Sequence, residues 1–482
     1  MEYTASLLPA MPEIFLLGAA CVILVIDLFL GRETRVYTLG LSLAALVATI
    51  VVIYATAAPE RVVVFHGAYV RDAMGDALKV AMLAVTFFAF IYARHYLVQR
   101  GAFRGEYFVL ALLGLLGMMI MVSAGGFLSI YLGLELLALT LYALVAFDRG
   151  NPQGTEAAMK YFVLGAIASG LLLYGISMIY GATGHFRFAG IAEAVASGQA
   201  DQKVLLFGLV FVVIGVAFKF GAVPFHMWAP DVYEGAPMPV VAFLGSVPKI
   251  AALAMAIRIL HDGLGGLGGW QGWDGMLMIL AVLSLLLGNL VALVQTGIKR
   301  LLAYSTIAHV GFILLGILAG EGAGYTAAMF YTVTYALTAV GAFGLLTVLS
   351  GKGMEARELH DLKGLNQRNP WLAGLMLMFM FSMAGVPGFV GFFAKLYVIQ
   401  ALLDAGQLGL AVFAVVMSVV GAYYYLKVLK HVYFDKPITQ APIQGGVDAQ
   451  LAVSVNGLAL VYYGWLPGAL LAFCQAAMGL KV

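Results

Sequence analysis

Four ionisable residues stand in the middle of long apolar stretches. Glu135 lies within FLSIYLGLELLALTLYALVAF, and Lys219, Lys249 and Lys395 lie in comparably apolar surroundings. A charged side chain near the centre of a bilayer costs at least ~2.5 to 3.5 kcal/mol, so such residues point to a functional site or to buried ion pairs. Carboxyl and amine groups exchange protons, and all four residues are therefore candidate members of a proton relay.

A lysine amine in such surroundings has the chemistry that proton transfer needs. Burial disfavours the charged form of a lysine and a nearby carboxylate favours it, so movement of the carboxylate makes the lysine bind or release a proton. Each charge moved against 100 mV needs about 2.3 kcal/mol, which one or two pKa units per site can supply with a modest conformational contribution. An ammonium group repels Na⁺ and offers it no oxygen ligand, so protons are the predicted cargo.

Three further residues are candidates for the same relay, and each has an ordinary structural alternative. His226 is seven residues past Lys219, or two helical turns, although a lone histidine in an apolar span is also common in protein cores. Lys160 lies one turn after Glu156, where it takes up protons or forms an i, i+4 ion pair at a wet helix end. His309 lies in LLAYSTIAHVGFILLG, where it could hold water in a channel.

The overall composition predicts the elements that must position these residues. Of the 482 residues, 63% are hydrophobic and 10% charged, against about 25% charged in an ordinary soluble domain. We therefore predict an all-α polytopic membrane protein. The net charge of +2 leaves no basic footprint for nucleic acid.

No signature of a bound cofactor is visible in the sequence. Cys21 and Cys474 are too few and too far apart for a thiolate zinc site or a four-cysteine iron–sulfur cluster. No flavin or haem signature and no GxxxxGK[ST] loop is present either. We therefore expect no cofactor and no metal in this chain, and any redox step or ATP hydrolysis in another one.

Apolar stretches of about 20 residues, each long enough to cross ~30 Å of hydrocarbon as a helix, recur along the chain. Fourteen spans are predicted, near residues 11–30, 37–57, 75–97, 107–123, 127–147, 156–181, 203–229, 237–261, 274–296, 300–319, 324–349, 371–402, 406–432 and 450–476. The first lacks a basic leader and a cleavage site, and it is interpreted as a retained span.

Two of these spans contain helix-breaking residues beside a buried lysine. Gly221 and Pro224 interrupt the seventh span, and Gly385 and Pro387 interrupt the twelfth. Matching breaks in two halves of a transporter are typical of inverted repeats. We therefore predict two inverted five-helix repeats, formed by spans 4–8 and 9–13. The predicted units are residues 1–104 (spans 1–3), 105–265 (first repeat), 266–435 (second repeat) and 436–482 (span 14).

Charged residues outside the centres of the spans predict the orientation. Most lysines and arginines between spans follow odd-numbered spans, so those loops should be cytoplasmic and both termini should face the opposite side. Asp27, Lys79 and Arg258 lie near span ends, and anchoring at the membrane interface is their predicted role.

Three motifs resemble a known family. They are KFGAVPFHMWAPDVYEGAP at residues 219–237, KRLLAYSTIAHVGF at 299–312 and GVPGFVGFFAK at 385–395. They are similar to signatures of the antiporter-like membrane subunits of NADH:quinone oxidoreductase, respiratory complex I, and among these to the subunit N branch. The resemblance covers essentially the full length of the chain.

The resemblance implies a role for each candidate residue. Glu135 and Lys219 match the Glu–Lys pair of that family, Lys249 its linking lysine and Lys395 its terminal lysine, while His226 and Lys160 match positions implicated in proton transfer. It also implies fourteen helices with the seventh and twelfth broken, and a proton-translocating subunit in the inner membrane of a bacterium. FMN and iron–sulfur clusters would lie in partner subunits of the peripheral arm, and quinone would be the substrate of the complex.

Two other functions remain open from the sequence. An Mrp-type cation/proton antiporter subunit would share the fold and the lysines but would exchange ions without redox partners. A passive scaffold would use its buried charges only to lock helices together.

Overall fold

The computed structural model describes residues 7–31, 34–58, 60–198, 200–351, 355–438, 443 and 445–479. The chain is mostly helical (80%). The α-helices are α1 (Met11–Asp27), α2 (Val36–Ala55), α3 (Ala73–Gln99), α4 (Gly105–Val122), α5 (Phe127–Val145), α6 (Pro152–Thr183), α7 (Phe188–Ala196), α8 (Gln202–Phe220), α9 (Trp228–Gly235), α10 (Met238–Ile257), α11 (Trp273–Val294), α12 (Ile298–Leu318), α13 (Ala323–Leu349), α14 (Leu365–Arg368), α15 (Pro370–Ala384), α16 (Val390–Asp404), α17 (Leu408–Tyr433), α18 (Val447–Trp465) and α19 (Gly468–Ala477). The prediction of orientation also counted Arg32, Lys352 and Lys481 among the lysines and arginines outside the spans, and these three lie outside the described residues.

Helices coincide with the predicted apolar stretches, and a few short elements occupy the connections between them. Strands β1 (Val62–Val64) and β2 (Tyr69–Arg71) form an antiparallel hairpin after α2. The backbone N–H of Val70 donates to the carbonyl of Ser123 at 2.7 Å, which ties this hairpin to the turn between α4 and α5. The sequence did not predict the hairpin or the short helix α7.

Helix α10, which carries Lys249, lies at the centre of the molecule. All its residues are buried, and it packs against α3 and α13. Helices α2, α6 and α17 instead keep many apolar side chains exposed, among them Val51, Ile167 and Val419. An apolar exterior around a core that contains charged residues is the arrangement expected in a bilayer, where polar groups must be satisfied inside the protein.

Two interruptions of the helices occur where the sequence predicted them. Helix α8 ends at Phe220 and is followed by Gly221 with φ +75°, before α9 begins at Trp228. Helix α15 ends at Ala384 and is followed by Gly385 with φ +84°. Both glycines adopt a left-handed conformation that side chains with a Cβ atom disfavour, so they end the helices inside apolar stretches.

Within the described residues, twelve helices are long and apolar enough to cross a membrane. Helix α15, with 15 residues, falls short by itself. Helices α18 and α19 form a pair bent by 86°, and counting this pair as one span gives thirteen. The predicted span near residues 450–476 is therefore bent, because the chain turns at Leu466 and Pro467, and proline cannot continue the helical hydrogen-bond pattern.

Candidate functional site

Two of the predicted lysines bind the ends of the interrupted helices. The amine of Lys249 donates a hydrogen bond to the carbonyl of Phe220, the last residue of α8, at 2.7 Å. The amine of Lys395 donates to the carbonyl of Ala384, the last residue of α15, at 2.9 Å. A helix end leaves carbonyls without intrahelical donors, and a buried one needs another partner. Each lysine therefore supplies a donor where the adjacent break removes one.

Lys219 lies in the last turn of α8 and borders a small cavity. Its side chain is buried, and the cavity of about 20 Å³ is also lined by Tyr142, Tyr161 and Ser169. That is about the space that one water molecule needs, and hydroxyl groups in the wall could bind it. The break in α8 thus lies beside a site where protein and water could exchange a proton.

Glu135 does not contact Lys219 directly. It is half-buried on α5, its carboxylate accepts a hydrogen bond from the Ser169 hydroxyl on α6, and it forms no ion pair with Lys219 within 4.0 Å. The sequence named both residues as relay candidates but missed Ser169, because serine in an apolar helix carries no distinctive signal.

An aromatic pair connects the surroundings of Lys219 with those of Lys249. The ring of Trp228 stacks on Tyr161 with a centroid separation of 4.7 Å, and the amine of Lys249 lies 5.5 Å from the Trp228 ring. The indole N–H donates to the carbonyl of Phe218 at 3.1 Å, which fixes the ring. A cation over an aromatic face is stabilised in desolvated surroundings, so Trp228 helps to retain Lys249 at the break.

His309 is buried between two tyrosines and shares a cavity with Lys395. Its Nδ1 atom lies 2.7 Å from the hydroxyl of Tyr331, and its Nε2 atom lies 3.0 Å from that of Tyr425. The cavity, of about 10 Å³, is lined by His309, Tyr331, Tyr335 and Lys395. His309 therefore belongs to the same polar interior as the terminal lysine.

Tyr335 connects the surroundings of Lys249 with those of His309. Its hydroxyl donates to the Thr306 hydroxyl at 2.7 Å and lies 3.3 Å from the carbonyl of Gly245, one turn before Lys249 on α10. Its ring centroid lies 4.8 Å from that of His309. The sequence gave no reason to select this tyrosine among the 24 in the chain.

Lys160 lies at the edge of this interior. It is 45% exposed and pairs at 2.9 Å both with Glu156, which is one of the two alternatives that the sequence left open, and with Asp231 on α9. Asp231 also pairs with Arg300 at 2.9 Å. This network joins the start of α6 to the second part of the interrupted segment.

His226 lies in the connection between α8 and α9. Because α8 ends at Phe220, the two-turn spacing from Lys219 does not apply. The ring of His226 instead lies 6.4 Å from that of Tyr304, and its Nδ1 atom is buried without a hydrogen-bond partner among the described residues.

The predicted interfacial anchors are in fact buried. Lys79 has no exposed side-chain surface, and it pairs with Glu13 at 2.7 Å and donates to Tyr69 at 3.1 Å. Asp27 accepts a hydrogen bond from Thr38 at 2.5 Å. The anchoring prediction is wrong here because it considered only how close these residues lie to the span ends. It did not consider which face of each helix is covered by neighbouring helices.

Arg258, the third predicted anchor, is also buried. It pairs with Asp72 at 2.7 Å and with Asp262 at 3.2 Å. Burial alone would raise the pKa of the Asp72 carboxyl, but the Arg258 guanidinium holds that pKa below its ordinary value. The contact joins the start of α3 to the end of α10.

A second buried charge cluster surrounds Glu355 in the connection after α13. Its carboxylate pairs with Lys299 at 2.9 Å, Arg357 at 3.1 Å and Arg100 at 3.6 Å. Burial would raise the pKa of Glu355, but the three cations outweigh it and lower that pKa to about 2. Among the described residues, no group of three histidine, cysteine or acidic residues could hold a metal ion.

Comparisons with known proteins bear on this site. A family model described as NADH:quinone oxidoreductase/Mrp antiporter, TM, matches residues 124–421, the range that holds every candidate relay residue named above. NADH-quinone oxidoreductase subunit N of Thioalkalivibrio sulfidiphilus is 52% identical, over 98% of this chain and 98% of its own. The chain belongs to the NADH-quinone oxidoreductase subunit N family. The resemblance seen in the motifs is thereby confirmed.

Solved structures share this fold, and one of them is a chain of respiratory complex I. A chain from respiratory complex I of Thermus thermophilus with bound aureothin has a TM-score of 0.82 at 32% identity, covering 96% of this chain and 98% of that one. A chain from the Mrp complex of Dietzia sp. has a TM-score of 0.81 at 22% identity, covering 98% and 97%. The second likeness shows a common fold alone.

Proposed function

We propose that this chain is the subunit N of a proton-translocating NADH:quinone oxidoreductase and moves protons through its own buried Glu/Lys relay. One observation carries the proposal. Lys249 and Lys395 donate to the last carbonyls of two interrupted helices, and Lys219 and Lys395 line cavities beside those breaks. Amines held at broken helices next to space for water can bind and release protons within the membrane.

The proposed relay runs from Glu135 through Lys219 and Lys249 to His309 and Lys395. The hydroxyls of Ser169, Tyr335 and Tyr425 contact members of this series or line its cavities, which supports transfer over short steps. Lys160 is proposed to take up protons at the edge, where it is exposed to solvent. His226 is proposed as a further member, although among the described residues no hydrogen bond or ion pair joins it to another relay residue.

The proposed membrane arrangement has fourteen spans. Counting α15 with α16 as one interrupted span, and α18 with α19 as another, gives that number. The two inverted five-helix repeats would cover residues 105–265 and 266–435, flanked by residues 1–104 and 436–482. The left-handed glycines after α8 and α15 support the correspondence between the repeats.

The proposed setting is the inner membrane of a bacterium, with both termini on the periplasmic side. Other membrane-arm subunits of complex I would be the partners, and FMN and iron–sulfur clusters would reside in subunits of the peripheral arm. Redox energy from NADH oxidation and quinone reduction would thus reach this chain from outside it.

The test is neutralisation of relay lysines in the assembled complex. Lys219→Met and Lys395→Met should leave the subunits co-purifying while proton pumping per NADH oxidised falls. The matched control is Lys203→Met, at an exposed lysine in the first turn of α8. A normal proton-to-electron ratio in both relay variants would defeat the proposal and favour the passive scaffold.

An Mrp-type antiporter subunit is the alternative function. The Mrp chain shares the fold, which supports this alternative. The sequence identity to this chain is nevertheless higher for the complex I proteins than for the Mrp chain. The reconstituted chain alone should show no Na⁺-dependent proton flux. Such flux, without redox subunits, would replace the proposed function by the antiporter.

A further inference from the structure

The hydrogen bond between Ser169 and Glu135 determines where the glutamate carboxylate lies. Glu135 is on α5 and Ser169 on α6, and both side chains are half-buried. A charged acceptor makes such a bond stronger than one between neutral groups. The Glu135 carboxylate is thus held against α6 by Ser169. The amine of Lys219, on α8, forms no ion pair with this carboxylate.

The cavity beside Lys219 is lined by Ser169, the hydrogen-bond partner of Glu135. Ser169 and Lys219 are both in its wall, and Glu135 is reached through Ser169. Tyr142 closes the wall near Gly165, because a Cβ atom at Gly165 would lie 1.9 Å from the tyrosine hydroxyl. The cavity is therefore bordered both by Ser169, which holds the carboxylate, and by Lys219.

We propose that Ser169 is a positioning residue that holds Glu135 away from Lys219, so that the Glu–Lys ion pair forms only when this hydrogen bond breaks. The proposal rests on the proposed function, since it assigns a regulator to the first step of the relay. Ser169 donates a hydrogen bond and keeps its own proton throughout. With Glu135 on Ser169, Lys219 lacks a contacting anion and can release a proton, whereas an approaching carboxylate would stabilise the ammonium.

The experiment compares three serine variants in membrane vesicles that contain the assembled complex. Ser169→Ala removes the hydroxyl, and the rate of proton pumping driven by NADH should fall about two- to ten-fold, the size expected for one lost hydrogen bond. Ser169→Thr restores a hydroxyl and should recover most of the rate. Ser177→Ala is the matched control, because Ser177 lies on the same helix but is exposed and outside the cavity.

A second arm tests whether Ser169 acts through Glu135. In a Glu135→Gln background the carboxylate is gone, so adding Ser169→Ala should cause no further loss, whereas independent effects would multiply. Multiplying effects, a Ser169→Ala rate equal to that of the unmodified complex, or a Ser169→Thr rate as low as that of Ser169→Ala would each overturn the inference.

The same variants separate this inference from the proposed function. Normal pumping in Glu135→Gln would defeat the relay itself and the inference with it. Slow pumping in Glu135→Gln together with normal pumping in Ser169→Ala would defeat only the positioning role. Co-purification of the other subunits is measured for every variant, so a rate is interpreted per assembled complex.

Discussion

Glu13 and Lys79 form an ion pair at 2.7 Å in which the lysine side chain is fully buried and the glutamate side chain is 8% exposed. The pair joins α1 to α3, outside the proposed relay. Removing one partner of a buried pair leaves an uncompensated charge, whereas replacing both with apolar residues is often tolerated. The pair therefore offers a contrast with the relay lysines.

Lys79→Met should lower the free energy of unfolding of the chain by about 3 to 5 kcal/mol, since Glu13 loses its cationic partner and keeps only the hydrogen bond from Tyr69. Adding Glu13→Leu should recover most of this loss. Thermal unfolding in detergent measures both effects, and pumping per assembled complex should stay normal in the double variant. Impaired pumping in a stable double variant would mean that the pair belongs to the proton path.

Lys249→Arg tests whether Lys249 must release a proton. Arginine keeps a positive charge and hydrogen-bond donors for the Phe220 carbonyl but does not deprotonate in proteins. We expect Lys249→Arg and Lys249→Met to reduce proton pumping alike, measured as protons moved per NADH oxidised. Normal pumping in an assembled Lys249→Arg complex would reduce this lysine to a structural cap.

Gly385→Ala should disturb the second interruption. The residue has φ +84°, and an added Cβ atom would lie 2.9 Å from the Cδ atom of Lys395. The left-handed conformation costs alanine about 1 to 2 kcal/mol, so thermal stability and pumping should both fall. Gly374→Ala, inside α15 with open space around it, is the control and should be neutral or stabilising. Equal behaviour of the two variants would contradict this account of the break.

Glu355 should make the chain sensitive to acid. Its pKa falls from an ordinary value of 4.5 to about 2 on folding, so its contribution to stability is complete above about pH 4.5 and is lost as the pH drops towards 2. A difference of that size corresponds to about 3 kcal/mol. Glu355→Gln should unfold at a lower temperature near pH 6, and the difference from the unmodified chain should shrink at pH 3.

Exposed Glu193 provides the control for this pH dependence. Thermal unfolding of Glu193→Gln should follow the unmodified chain at both pH values. A Glu355→Gln variant as stable as the unmodified chain near pH 6 would show that the cations around Glu355 are equally well satisfied without its charge.

The sequence predicted features that depend on local chemistry. Apolar length predicted the helices, and the glycine and proline residues around Gly221 and Gly385 predicted the interruptions, because these residues act on their own backbone. The Glu–Lys chemistry at Glu135 and Lys219 followed from the cost of burying charge, although the roles of these residues in proton transfer stay a prediction.

The partners of these residues could not be predicted, because they depend on which helices pack side by side. Ser169 reaches Glu135 from the next helix, and Tyr335 lies far along the chain from Gly245, whose carbonyl it contacts. Lys79 was misassigned for the same reason, since nothing near it in sequence indicates that Glu13 is its partner. Pairing between distant helices therefore required the structure.

The carbonyls of Phe220 and Ala384 set a condition on any working cycle, because each must remain hydrogen-bonded whatever the lysine beside it is doing. An ammonium group has three N–H bonds and a neutral amine still has two, so Lys249 and Lys395 can each lose a proton and go on capping the same oxygen. The backbone at both interruptions can therefore keep its conformation while the charge of the lysine bound to it changes.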